Sequence, residues 1–280
     1  MNSDTIARTF TFADGREVNR IGYGAMRLTG QPRNFGPYDD WEGGIALLRR
    51  AVEVGVDHFD TARAYGPRYN ERLVAEALAP YGRDVFVASK GGVDKSEDAI
   101  THDGSPKGLA GHVRDSRHDL APLIGDGPID LYYLHRVDDD VPIEESVGAL
   151  EGARENGEIV RIGVSNVTLE QLRRAMNVAP IAAVQNRYSP ADERDAATEE
   201  LIDFTTEHGI AFVPHGPLGA NPMKRGAATD PGEALRTLLA RAPNILAIPG
   251  TTTIAHLEEN ARALDGGEAI RNKDRDIVQM

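Results

Sequence analysis

Four residues of types that can move a proton close short apolar runs in this chain or stand just beyond one. Asp60 ends the run 56–60, Tyr65 follows it by five positions, Lys90 follows the run 85–89, and His135 follows the run 129–134. A phenol ordinarily has a pKa of ~10, too high for easy proton exchange near neutrality. A neighbouring ammonium favours the phenolate and draws that value down, and a carboxylate beside the lysine keeps it charged and aimed. An imidazole on another strand end can donate a hydrogen bond to a substrate oxygen. The four together suit proton donation to an oxygen that becomes negative, as a carbonyl oxygen does when hydride attacks its carbon. A lysine so placed can instead form a Schiff base, as in an aldolase barrel using Lys90. The paired carboxylate argues against this, because a nucleophilic lysine must lose its proton.

The elements that must position these groups can be read from the same pattern. β-rich apolar segments recur at 20–27, 56–60, 85–89, 129–134, 160–165, 181–185, 210–214 and 245–249, apolar on both faces as buried parallel strands are. Helical patterns lie between them at 41–54, 70–79, 107–123, 143–156, 169–176, 197–208, 232–240 and 254–264. Ser105-Pro106 and Thr168 are helix starts, and Gly55, Gly157 and Gly209 sit just past helix ends. Eight strands alternating with eight helices predict an α/β fold, a (β/α)8 barrel forming a single domain over 1–280. A doubly wound sheet is the competing reading, but its glycine-rich first turn is replaced here by the long loop 28–40. Segments 9–12 and 17–19 flank Ala13-Asp14-Gly15 and predict a β-hairpin that could plug the bottom of the barrel. Barrel chemistry sits at the C-terminal ends of strands. That adds Ser165 with Asn166, Gln185 with Asn186, and His215 to the polar residues of interest.

Composition narrows the function. The 280 residues contain no cysteine, which removes disulfides, thiolate metal sites and a cysteine nucleophile. The 31 basic and 44 acidic residues leave a formal net charge of −13, which disfavours nucleic acid and anionic membranes as partners. No apolar run reaches the ~18 residues of a membrane span, and the N-terminus lacks a basic start followed by an apolar stretch. The expectation is a cytoplasmic protein, monomeric by default.

The segment His58-Phe59-Asp60-Thr61-Ala62-Arg63-Ala64-Tyr65-Gly66 resembles the aldo-keto reductase signature. So do Val87-Ala88-Ser89-Lys90, Leu131-Tyr132-Tyr133-Leu134-His135-Arg136 and Arg161-Ile162-Gly163-Val164-Ser165-Asn166. Val184-Gln185-Asn186, Ile248-Pro249-Gly250-Thr251 and His256-Leu257-Glu258-Glu259-Asn260 complete the series. Their order and spacing run from about residue 21 to 263. More loosely, Asn34-Phe35-Gly36-Pro37 and Tyr65-Gly66-Pro67 resemble the bacterial pyridoxal-reductase-like members. The resemblance implies reduction of a small-molecule aldehyde or ketone by NADPH, with NADH as a possible substitute. It implies Tyr65 as general acid, Lys90 lowering its pKa, Asp60 pairing with Lys90, and His135 orienting the carbonyl. Ser165, Asn166 and Gln185 are then placed on the nicotinamide carboxamide, and His215 where the family usually stacks an aromatic on the ring, with Pro217 and Leu218 beside it. Pro249, Gly250, Thr251, Thr252, His256, Glu259 and Asn260 fall at the adenosine end. Gly250 and His256 replace the lysine and arginine that many members set against the 2′-phosphate, leaving threonine hydroxyls and helix N–H groups.

Each residue also has a plainer reading: a loop cap for Asp60, a solvated charge for Lys90, a structural hydrogen bond for His135. Their joint occurrence favours chemistry. The other histidines (58, 102, 112, 118, 208 and 256) show no metal spacing and read as surface, so no metal is expected. Trp41 either lines a pocket or anchors the first helix. The seventh loop, 219–230, and the tail after 264 are short for the family, which suggests an open pocket. An alternative on the same barrel is an NADPH-binding regulatory protein with little turnover.

Overall fold

A computed structural model describes residues 6–190, 195–218 and 230–265. Nearly all of the short seventh loop and tail therefore lies outside the described residues. The chain opens on an antiparallel hairpin, β1 (Thr9–Thr11) and β2 (Glu17–Asn19), with Phe10 opposite Val18. Gly15 turns it at φ 86°, where a side chain would be strained. Strands β3 (Tyr23–Gly24), β4 (His58–Asp60) and β5 (Phe86–Gly91) then pair in parallel. β5 leads into a second hairpin, β6 (Val93–Lys95) with β7 (Ile100–His102). The parallel sheet resumes with β8 (Leu131–Leu134), β9 (Ile162–Ser165), β10 (Ile181–Gln185) and β11 (Ala211–Phe212).

An eighth segment closes the ring. Ile245 bridges Phe212 and Ala247 bridges Ile21, both in parallel, and Ala247 N–H donates to the Arg20 carbonyl at 2.8 Å. The helices are α1 (Trp41–Glu53), α2 (Tyr69–Leu78), α3 (Pro106–Ile124), α4 (Ile143–Glu155), α5 (Leu169–Met176), α6 (Ala196–Glu207), α7 (Pro231–Arg241) and α8 (Ile254–Ala261). The fold is a (β/α)8 barrel, as the alternation predicts. Ser105 Oγ accepts from Gly108 N–H at the start of α3, and Thr168 and Gln171 form a reciprocal cap on α5.

Burial on both strand faces divides the core into two layers. Outward residues such as Phe59, Val87 and Ile162 pack with Leu48, Leu73, Val113 and Val147 of the helices. Inward residues Phe86, Ala88, Leu131, Tyr133, Ala183 and Val213 fill the ring with Phe12 and Val18 of the first hairpin. Phe12 stacks on Phe86 with ring centroids 5.3 Å apart, so the hairpin does plug the barrel's N-terminal end. Each of the larger apolar side chains, such as Phe86 and Leu131, contributes about 1.5–3 kcal/mol by burial.

Two expectations fail locally. The first strand does not reach residue 27. Ala25–Arg27 forms a turn of 3-10 helix, and Gly24 before it lies so close to Ile248 that a Cβ would sit 2.7 Å from the carbonyl oxygen. His58 and His112 are not surface groups. His58 is buried against Phe86, and His112 is buried under the second hairpin. His112 meets Asp94 and Asp103 in a cluster with donor atoms within 4.8 Å of one another. Its Nδ1 accepts from Gly92 N–H at 3.0 Å, so its proton sits on Nε2, facing Asp94 at 3.4 Å. Neither nitrogen has a free lone pair for a metal.

Candidate active site

The C-terminal ends of β4, β5, β8, β9, β10 and β11 converge on a cavity of about 430 Å³. Its walls include Asp60, Tyr65, His135, Ser165, Asn166, Gln185 and His215, with Pro217, Leu218, Pro249 and Gly250 on one side. Lys90 lies behind the wall, fully buried.

The Tyr65 loop is fixed from three directions. Arg63 N–H donates to the Lys90 carbonyl at 3.2 Å and Tyr65 N–H to that of Ala62 at 3.0 Å. Gly66, at φ 77°, comes so close to the first loop that a Cβ would lie 2.7 Å from the Gly36 oxygen. Buried Asn70 joins Thr61 Oγ1 (2.7 Å) to the Ala25 and Leu28 carbonyls, locking the ends of β3 and β4 together.

Lys90 Nζ donates to Asp60 Oδ1 at 2.5 Å, to the Thr61 carbonyl at 2.8 Å and to Tyr65 OH at 3.4 Å. Three acceptors use its three protons. Burial opposes the charge, but Asp60 and Tyr65 outweigh it and hold the ammonium above its usual pKa. A lysine so held is not a Schiff-base nucleophile at neutral pH. The Tyr65 phenol is pushed up by burial; Lys90 pulls it down without cancelling that push, and Asp60 adds to it. The expected depression by lysine is present as a contribution, not as the net result. The phenol is neutral and carries a proton to give.

Tyr65 and His135 rings meet edge to face at 5.9 Å between centroids. Burial, together with Lys90 and Arg136, holds the His135 imidazole well below its usual pKa, and its Nδ1 is buried without a hydrogen-bond partner. It is neutral.

The β9 and β10 ends interlock. Ser165 Oγ donates to the Gln185 carbonyl at 2.7 Å. Asn166, at φ 57°, donates from Nδ2 to Ser165 Oγ and to the His135 carbonyl, and its Oδ1 accepts from His215 Nε2 at 3.1 Å. His215 is depressed by burial to about 4 and is neutral, its ring held by that bond at the cavity wall. Gln185 Nε2 donates to Asp60 Oδ2 at 2.8 Å. Asn186 braces Val167 through both backbone groups.

The remaining predicted contacts stand outside the cavity wall. Thr251 is buried and its carbonyl accepts from Tyr23 OH at 2.5 Å. Thr252, His256 and Glu259 are exposed at and along α8, and Asn260 is buried on it. Trp41 is an anchor: its indole donates to Glu76 at 2.9 Å and packs on the helical core. Sequence reasoning missed Asn70, and also Met26, Arg27, Arg136 and Arg187, which line the cavity. Arg136 and Arg187, each two positions past a strand end, carried the available signal. No helix among the described residues is long and apolar enough to cross a membrane.

The model of the Aldo/keto reductase family matches residues 20–234. The pyridoxine 4-dehydrogenase of Escherichia coli is 37% identical over 273 residues, covering 92% of this chain and 93% of that protein. The glycerol dehydrogenase AKR11B4 of Gluconobacter oxydans superposes with a TM-score of 0.80 at 23% identity, over 92% of this chain and 90% of that one. An aldo-keto reductase of Klebsiella pneumoniae in complex with NADPH gives 0.73 at 25% identity, over 92% and 90%.

Proposed function

Because the chain belongs to the aldo/keto reductase family, we propose that it reduces an aldehyde or ketone to the alcohol with NADPH, using Tyr65 as the proton donor. The oxidoreductase class follows from the family. The finer reading rests on one observation: a neutral phenol 3.4 Å from a buried ammonium, at the base of a cavity roomy enough for a nicotinamide and a small carbonyl compound.

The residues present suit a nicotinamide. His215 offers a ring face, and Asn166, Ser165 and the Oε1 of Gln185 offer polar atoms beside it. When bound, the reduced nicotinamide supplies hydride to the carbonyl carbon. The chain's own groups serve the oxygen. His135 and Tyr65 direct hydrogen bonds at it, and Tyr65 OH gives it a proton as negative charge develops. Lys90 stabilises the phenolate left behind, and Asp60 keeps Lys90 charged and oriented. Thr251, Thr252, His256, Glu259 and Asn260 are assigned to the adenosine end. With Gly250 and His256 in place of fixed cations, weak use of NADH is expected beside NADPH. The relative named for pyridoxine makes pyridoxal a natural member of a substrate panel.

The test is steady-state oxidation of NADPH and NADH with aldehydes including pyridoxal and methylglyoxal. Turnover with NADPH is expected. Tight NADPH binding with no turnover on any aldehyde would favour the regulatory alternative.

A further inference from the structure

The cavity differs in charge from the rest of the molecule. The chain as a whole is at −13. The ionisable side chains with fixed charge on the cavity wall are Arg27, Arg136, Arg187 and one carboxylate, Asp60. Lys90 neutralises that carboxylate at 2.5 Å. Arg27 and Arg136 make no ion pair among the described residues, so even with Arg187 left out of the count the cavity presents an excess of positive charge to whatever enters it.

Arg136 occupies a particular place in this set. It follows His135 at the end of β8, the fourth strand of the ring counted from β3, and so faces the eighth segment across the barrel. Pro217, Leu218, Pro249 and Gly250 lie on that far side, where the cofactor is assigned. Arg136 stands on the side left for substrate. It is exposed and makes no ion pair among the described residues. The nearest acid in its loop, Asp138, instead accepts from the backbone of Gly104 and Asp140. The charge of Arg136 lowers the proton affinity of both His135 and His215, so it acts across the reaction centre.

We propose that Arg136 determines specificity by pairing with an anionic oxygen group, a carboxylate or a phosphate, on the carbonyl substrate. This rests on the reductase reading. A guanidinium offers parallel N–H donors that match either group. A hydrogen bond to a charged group contributes about 1.5–3 kcal/mol, or about tenfold to a hundredfold in specificity.

The experiment compares kcat/KM within two matched pairs, 4-carboxybenzaldehyde against its methyl ester and pyridoxal 5′-phosphate against pyridoxal. A calorimetric titration of benzoate into the NADPH-loaded protein accompanies it and needs no turnover. The native chain should favour the anionic member of at least one pair by about tenfold or more, and the pair that shows it tells carboxylate from phosphate. Arg136→Gln should bring that ratio near one and weaken benzoate binding, while Arg136→Lys keeps part of both. Equal rates within both pairs in the native chain, or a ratio unmoved by Arg136→Gln, would overturn the proposal. So would an Arg136→Gln effect confined to NADPH affinity, which would assign the guanidinium to the cofactor. If no aldehyde is turned over, the reductase reading fails by itself, and benzoate binding still decides the role of Arg136.

Discussion

Gln185 at the end of β10 donates from Nε2 to Asp60 Oδ2 at 2.8 Å, across the barrel and 125 positions away in sequence. The other oxygen of Asp60 accepts from Lys90. One carboxylate thus ties the amide beside the proposed nicotinamide site to the ammonium beside the proposed acid.

Replacing Gln185 by Leu leaves a buried carboxylate oxygen without its donor. The expected cost is about 1–3 kcal/mol of stability, checked by urea unfolding. Turnover should also fall, because Asp60 is freed to rotate away from Lys90.

Lys90→Met removes the ammonium and strands Asp60 in the core. Breaking a buried ion pair costs about 3–5 kcal/mol, which thermal unfolding will read as a lower Tm. Catalysis should drop more than tenfold in kcat. Double replacement with Asp60→Asn should recover much of the stability and none of the rate, since it removes the unpaired charge but restores no proton-stabilising group.

Glu71 on α2 supplies a pH dependence. It is fully buried, and burial pushes its carboxyl up to about 7 despite the nearby Ser116 and Ser89 hydroxyls. The native state then holds this proton more tightly than the unfolded chain, whose carboxyl has its ordinary value of 4.5. Stability from this group is greatest below pH ~4.5 and is lost as pH rises to ~7, by a total on the order of 3 kcal/mol. Glu71→Gln should raise Tm at pH 8.5 by several degrees and much less at pH 5. Equal shifts at both pH values would show that the native carboxyl titrates normally.

The strands were legible because parallel barrel strands are buried on both faces, and runs such as Val85–Ser89 are short, continuously apolar up to their last residue and carry no charge. The second hairpin was not, because Val93–Lys95 and Ile100–His102 are short and largely solvent-facing and follow no alternation a three-residue strand can display. Arg20 reads as an ordinary charge. In the fold it is buried, donating to the carbonyls of Ile245, Leu239 and Ala242, and so fastens the closing segment to the first strand. Only assembly of the ring reveals that contact, as it does the bond from Gln185 to Asp60. Strand-end position pointed to the four proposed catalytic groups. It could not reveal that burial outweighs lysine in setting the phenol's proton affinity, because that balance depends on how deeply the loop is packed.

The most direct measurement is the turnover of Tyr65→Phe with NADPH and a good aldehyde, alongside the dissociation constant for NADPH. Loss of the hydroxyl should leave NADPH affinity nearly unchanged and reduce kcat by at least about a hundredfold, within the range that general acid catalysis supplies. A variant that binds NADPH and reduces the aldehyde at the native rate would contradict the assignment of Tyr65 as the proton donor.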